Sequence, residues 1–141
     1  MAKFHGRVSK FLLDDTSGTQ HDLSTYLNDM SGLPGGRELL QQTGVGASGR
    51  ERDAGLKNGM FRIAGFYDDT ATSGPDAVLG PLVDHTAAVD FEYGPKGSTG
   101  GYVKYYGTCW CRRYSLGSSI AGMVTFTAEF EVQGQVNRGT F

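Results

Sequence analysis

The sequence predicts a mainly β protein: an antiparallel β-sandwich or open barrel with one short α-helix and one long inter-strand loop. Three observations carry this. From Val124 to Gln133 the chain alternates strictly, with Val124, Phe126, Ala128, Phe130 and Val132 on one side and Thr125, Thr127, Glu129, Glu131 and Gln133 on the other. Side chains of a strand point to opposite faces in turn, so this stretch is a strand with one apolar and one acidic, threonine-rich face. The 22 glycines and only 4 prolines, without a Gly-x-y period, suit many turns between short strands and exclude collagen. At 141 residues the chain is the size of one domain around one core, so residues 1–141 are read as a single unit.

Taken in order, Lys3 to Asp14 predicts a strand, with Val8, Lys10 and Leu12 alternating against Arg7, Ser9, Phe11 and Leu13. Asp14-Asp15-Thr16-Ser17-Gly18 is turn chemistry. Asp22 or Ser24 caps one helical turn that turns Leu23, Tyr26 and Leu27 inward. Met30 to Asn58 is glycine-rich, carries the charged run Arg50-Glu51-Arg52-Asp53, and offers a short strand only over Glu38 to Val45. Ordered connections of that length are uncommon in compact domains, so this segment is either a mobile surface loop or an arm that orders on a neighbouring subunit.

Asn58-Gly59 opens a strand over Met60 to Tyr67, in which Phe61, Ile63, Gly65 and Tyr67 share a face. Ser73-Gly74-Pro75-Asp76 starts a helix, since proline fits the first helical position and Asp76 meets the positive end of the dipole. Gly80-Pro81 should kink or break it. Thr86 to Tyr93 is a strand with Ala87, Val89, Phe91 and Tyr93 inward and Ala88, Asp90 and Glu92 outward. Residues 94–101 form a turn. Tyr102 to Tyr114 is a long strand that places Tyr102, Lys104, Tyr106, Thr108, Trp110, Arg112 and Tyr114 on one face. Gly117-Ser118-Ser119 turns it into the last strand, and Gly134 to Phe141 resumes weak alternation.

The net charge of −2 gives no basic footprint for tight nucleic-acid binding. No apolar run reaches the length of a membrane span, and MAKFHGRVSK lacks the apolar stretch of a signal peptide, so the chain is expected to be made and used without secretion. Cys109 and Cys111 flank Trp110 on one strand face, where a mutual disulfide would be strained; reduced packing thiols are expected. Neither residue has metal-site partners at the required spacing. His5, His21 and His85 stand in no nucleophile signature, and no Walker loop or zinc motif is present. Gly44-Val45-Gly46-Ala47-Ser48-Gly49 has G-x-G-x-x-G spacing but opens no helix of a βαβ unit. Asp68-Asp69 reads as strand-ending turn chemistry. No catalytic, cofactor or metal site is therefore expected. The aromatic face Tyr102, Tyr106, Trp110 and Tyr114 has the look of a base-stacking platform, against which stands a core or interface face.

The order of segments resembles the major tail tube proteins of long, non-contractile, siphovirus-type phage tails. The residues carrying the resemblance are Asp22-Leu23-Ser24-Thr25-Tyr26-Leu27, Leu33-Pro34-Gly35-Gly36, Thr43-Gly44-Val45-Gly46, Ala54 to Gly59, Gly65-Phe66-Tyr67-Asp68, Tyr106 to Ser115 and Val124-Thr125-Phe126-Thr127-Ala128 closing on Gly134-Gln135-Val136. The family's loop motif is reduced here to Gln42-Thr43-Gly44-Val45-Gly46. The resemblance implies a β-sandwich with a helix, assembled as hexameric rings that stack into a tube. It implies a virion tail protein, assembled in the host cytoplasm, with the tape-measure protein and double-stranded DNA passing through the lumen. It implies no enzyme, no cofactor and no membrane partner.

On that reading the long loop is an inter-ring arm carrying Leu33, Pro34, Gly35, Arg37, Thr43, Arg50, Arg52 and Leu56. An acidic lining lets DNA slide past without trapping phosphate, which makes Asp90, Glu92, Glu129 and Glu131 candidates for the lumen wall; an acidic outer surface is the other reading of the same residues. A lipocalin-like ligand-binding barrel, with the aromatic strand lining a cavity, is the reading from a different class. A tail terminator or connector ring is the alternative within the resemblance.

Overall fold

The computed structural model describes residues 5–41, 44–46, 48–49 and 52–141. Among the described residues, nine strands and one α-helix follow in order: β1 (Lys10–Asp14), β2 (Gln20–Asp22), β3 (Leu27–Ser31), β4 (Gly36–Gln41), β5 (Arg52–Asn58), β6 (Met60–Phe66), α1 (Pro75–Leu82), β7 (Val89–Gly94), β8 (Val103–Gly117) and β9 (Thr125–Thr140). Seven strands form one antiparallel sheet in the order β2-β1-β7-β8-β9-β6-β3, and β4 pairs with β5 in a separate two-stranded ribbon.

The alternating stretch lies at the centre of this sheet. Phe126, Ala128 and Phe130 of β9 are fully buried, and β9 pairs on one side with β8 from Gly117 to Val103 and on the other with β6. The seven-stranded sheet is strongly curled. Phe11 on β1 and Phe61 on β6 lie four strand steps apart, roughly 19 Å in a flat sheet. Their rings are nonetheless 5.8 Å apart, edge to face. Phe61 also stacks on Phe130 at 4.8 Å and meets Phe91 at 4.9 Å, so one ring gathers four strands. Such ring pairs add about 0.5–1.5 kcal/mol each beyond the area they bury.

The open barrel is covered by α1, which contributes buried Val78, Leu79 and Leu82. Pro75 stands in the helix's first turn with Asp76, as the sequence predicts. Of the kink or break expected at Gly80-Pro81, no break occurs, and the segment is the one short helix expected. Pro81 sits in the last turn of one uninterrupted helix, where few backbone bonds remain to be lost, and buried Leu82 anchors the end.

Other elements are shorter than the periodicity suggests. The first strand begins at Lys10 and is preceded by a 3₁₀ turn over Gly6–Val8. The strand expected from Thr86 begins at Val89, with Ala87 exposed. Leu23 is fully buried ahead of a 3₁₀ turn over Ser24–Tyr26, and Asp22 accepts hydrogen bonds from both the Ser24 amide and hydroxyl.

The segment read as a long loop is corrected most. It contains β4 and β5, an antiparallel ribbon whose bounded strands run Gly36–Gln41 and Arg52–Asn58. Every residue of β4 is exposed. A strand with no buried face, as β4 is, leaves no period-two apolar pattern to read.

Candidate assembly surfaces

Leu33 is turned toward the core, while Pro34 and Gly35 are exposed at the root of the ribbon. Arg37, Arg52 and Leu56 lie exposed on the ribbon itself. Thr43 and Arg50 lie outside the described residues. The register pairs Arg37 with Lys57, Leu39 with Ala54 and Gln41 with Arg52. Residues opposite one another share a face, so one face of the ribbon gathers Arg37, Arg52, Lys57 and Leu39, while Glu38 and Leu40 fall on the other. Leu39 is 61% exposed and Leu56 80% exposed. The ribbon therefore presents apolar and basic groups to solvent without covering the barrel's core.

All four acidic candidates lie on the sheet face turned away from that core. Asp90 and Glu131 are exposed; Glu92 and Glu129 are half-buried. They are not an unbroken acidic stripe. Glu92 accepts from Lys104 Nζ at 3.0 Å. Glu129 stands in register between Arg62 on β6 and Arg113 on β8. Asp90 lies across from Thr108, and Glu131 between Met60 and Trp110. The acid density is highest where Asp14 joins this face: burial first, then the neighbouring Asp90, raises the Asp14 carboxyl above its ordinary value. Asp14, Asp90, Glu92, Thr108 and Gln133 line a polar groove there.

The aromatic face is also corrected. Irregularities in the β8–β9 register fall between Tyr106 and Thr108 and between Cys111 and Arg113. After the second, the alternation changes phase, and Tyr114 packs toward the core beside Phe126 instead of joining Trp110. Tyr106 and Trp110 remain exposed, with Lys104 near Tyr106 held by Glu92 and the Trp110 indole donating to Gln133. Two separated rings beside a neutralised lysine do not make a basic stacking strip. Cys109 and Cys111 are free thiols buried on the core face. Burial pushes the Cys111 thiol up to about 11 and Cys109 higher still. Among the described residues no three His, Cys, Asp or Glu side chains gather as a metal site, and no helix is long and apolar enough to cross a membrane.

This curled barrel, with its helix and ribbon, matches chains of known structures over nearly its whole length. The chain superposes on the SPP1 tail tube with a TM-score of 0.75 at 16% identity, covering 99% of this chain and 80% of that one. The fold is that of tail tube proteins. A chain of the gene transfer agent tail, determined with helical refinement and C6 symmetry, matches with a TM-score of 0.76 at 15% identity over 98% of this chain and all of that one. A chain from the sheath-tube complex of the extracellular contractile injection system PVC matches with a TM-score of 0.69 at 10% identity over 99% and 93%. No protein-family profile and no curated protein sequence matches the chain.

Sequence reasoning missed one surface of this tail tube fold. At the end of the barrel where β8 turns into β9, Phe66, Leu116, Ile120 and Met123 are exposed together with Val124. The apolar residues of the turn itself, Ile120, Met123 and Val124, were the available signal, since turn tips are ordinarily polar.

Proposed function

We propose that this chain is a structural tail subunit that polymerises as stacked six-membered rings into a tube for genome passage. The observation that carries the reading is the β4–β5 ribbon: it spends two strands on a surface that covers no core of its own. A segment of this kind repays its ordering only against another molecule, because fixing a residue costs about 1–2 kcal/mol in backbone entropy. The fold supports the same reading, since every neighbour named above is a chain of a tube-bearing assembly. On this reading the rings enclose the tape-measure protein and then double-stranded DNA, in a non-contractile virion tail put together in the host cytoplasm. Asp90, Glu92, Glu129 and Glu131 are the proposed lining, and the ribbon is the inter-ring arm.

The lipocalin-like reading has less to recommend it. The space inside the curl is filled by Phe11, Phe61, Phe91, Phe126 and Phe130, all buried, and the exposed aromatics of β8 face away from it. Size-exclusion chromatography and negative-stain electron microscopy of concentrated protein test the proposal: rings and rods are expected. A persistent monomer at high concentration counts against it.

A further inference from the structure

The two exposed apolar surfaces lie at opposite ends of the same strands. The ribbon is rooted beside the Met60 end of β6, where Arg37 and Lys57 share a shallow groove with Val136 and Arg138 of β9. The other end of β6 is Phe66, which pairs with Thr125 next to the β8–β9 turn. Six residue steps separate the two ends, roughly 20 Å, and the ribbon projects from its own end. The root of the ribbon therefore lies away from the far surface of its own chain.

Their charges differ in sign. The face of the ribbon that holds Leu39 also holds Arg37, Arg52 and Lys57. The far end is acidic. Asp68 and Asp69 follow Phe66 closely in sequence, and Asp76 stands in the first turn of α1. No lysine or arginine occurs in residues 63–84 or 114–128, which hold the end of β6, α1, the β8–β9 turn and the start of β9. Met123 is 70% exposed there and Leu116 51%.

We infer that the basic, apolar face of the β4–β5 ribbon docks on the acidic, apolar end formed by Phe66, Leu116, Ile120, Met123 and Asp69 of a second copy of this chain. The contact joins two different surfaces, so it repeats head to tail and extends along the strand direction without closing on a pair. The apolar residues would supply the adhesion and the opposite charges its polarity, since reversing one subunit would set Asp69 against another acidic end. This inference rests on the tube reading: it names the surface that the arm meets.

The test is a chain carrying both Leu39→Cys and Met123→Cys, with the buried native thiols unchanged. Rods are collected, oxidised and run on a non-reducing gel, with unsubstituted protein imaged in parallel. A ladder of covalent multimers is expected, absent from either single variant. Rods that run as monomers overturn the docking surface while leaving the tube intact. Unsubstituted protein that forms no rods overturns the tube reading itself. If the double variant does not assemble, the single variants L39C and M123C decide. In rods, the thiol introduced by each should lose at least tenfold in maleimide reaction rate relative to dissociated chains, and full reactivity of either overturns the inference.

Discussion

The Tyr114 hydroxyl donates to Asp76 Oδ1 at 3.1 Å and so fastens the far half of β8 to the first turn of α1. The contact exists because the register irregularity after Cys111 turns Tyr114 to the core side. Burial and the hydrogen bond to Asp76 push its phenol well above the ordinary value. The folded chain therefore holds this proton at pH values where the unfolded chain, near pH 10, releases it. The contribution to stability is present below about pH 10 and is lost as pH rises beyond it. Tyr114→Phe should cost about 1 kcal/mol at pH 7. It should also make the alkaline fall in the urea midpoint shallower than in the unsubstituted protein.

The two thiols should behave alike in direction. Cys109 and Cys111 are buried on the core face, and with Cys111 raised to about 11 its thiolate at pH 8 is roughly 100-fold scarcer than at an ordinary cysteine. Reaction with a disulfide reagent should be at least that much slower in the folded protein than in denaturant. Fast, stoichiometric labelling of folded protein would show that the core face is open.

Period two made the centre of the sheet readable, because Phe126, Ala128 and Phe130 are buried while Thr125 and Glu131 are not. The same rule hid the ribbon. Leu39 and Leu40 are adjacent in sequence and both exposed, so burial imposed no alternation on them. The misplacement of Tyr114 has a different origin. A bulge moves every later side chain to the opposite face, and no residue type near Arg112 announces it. The four acidic candidates were read from two separate strands, and strand pairing places them on one sheet face. Their partners come from two other strands, Arg62 from β6 and Lys104 and Arg113 from β8, and became visible only through strand register.

Asp15 organises the β1–β2 turn. Its carboxylate accepts from the Ser17 hydroxyl and amide and from the Thr19 amide, and lies 2.8 Å from His21 Nε2. The Ser17 hydroxyl bond is the largest influence holding this carboxyl well below its usual range, against a smaller opposing effect of burial. The stabilisation is complete above the unfolded value near pH 4 and declines as pH falls below it. Asp15→Asn should lower the melting temperature at pH 7, and the gap to the unsubstituted protein should narrow on acidification below pH 4. A gap that stays constant with pH would mean that the charge is not what holds the turn.

Gly65 marks the closest approach between β6 and the start of β3. A Cβ there would meet the Tyr26 carbonyl oxygen at 2.0 Å and Leu27 Cα at 2.9 Å. Both are backbone atoms and cannot rotate away. Gly65→Ala should destabilise by about 1–3 kcal/mol, read from denaturant unfolding. Gly100→Ala, where nothing lies within 4 Å, should change stability little.

The proposed lining is best tested away from Glu129. A lysine at that position would stand between Arg62 and Arg113, and each like-charge neighbour would destabilise by roughly 0.2–1 kcal/mol, confusing folding with transport. Asp90 and Glu131 are exposed and have Thr108, Met60 and Trp110 as their register partners. Asp90→Lys with Glu131→Lys changes each subunit by about four charges on the same face, two for each acid replaced by a base. Rods of normal yield and length are expected by electron microscopy. Particles built from this variant should deliver DNA poorly, because a ring of new cations would hold phosphates that the native acids repel. Normal assembly with undiminished delivery would place this face on the outside of the tube.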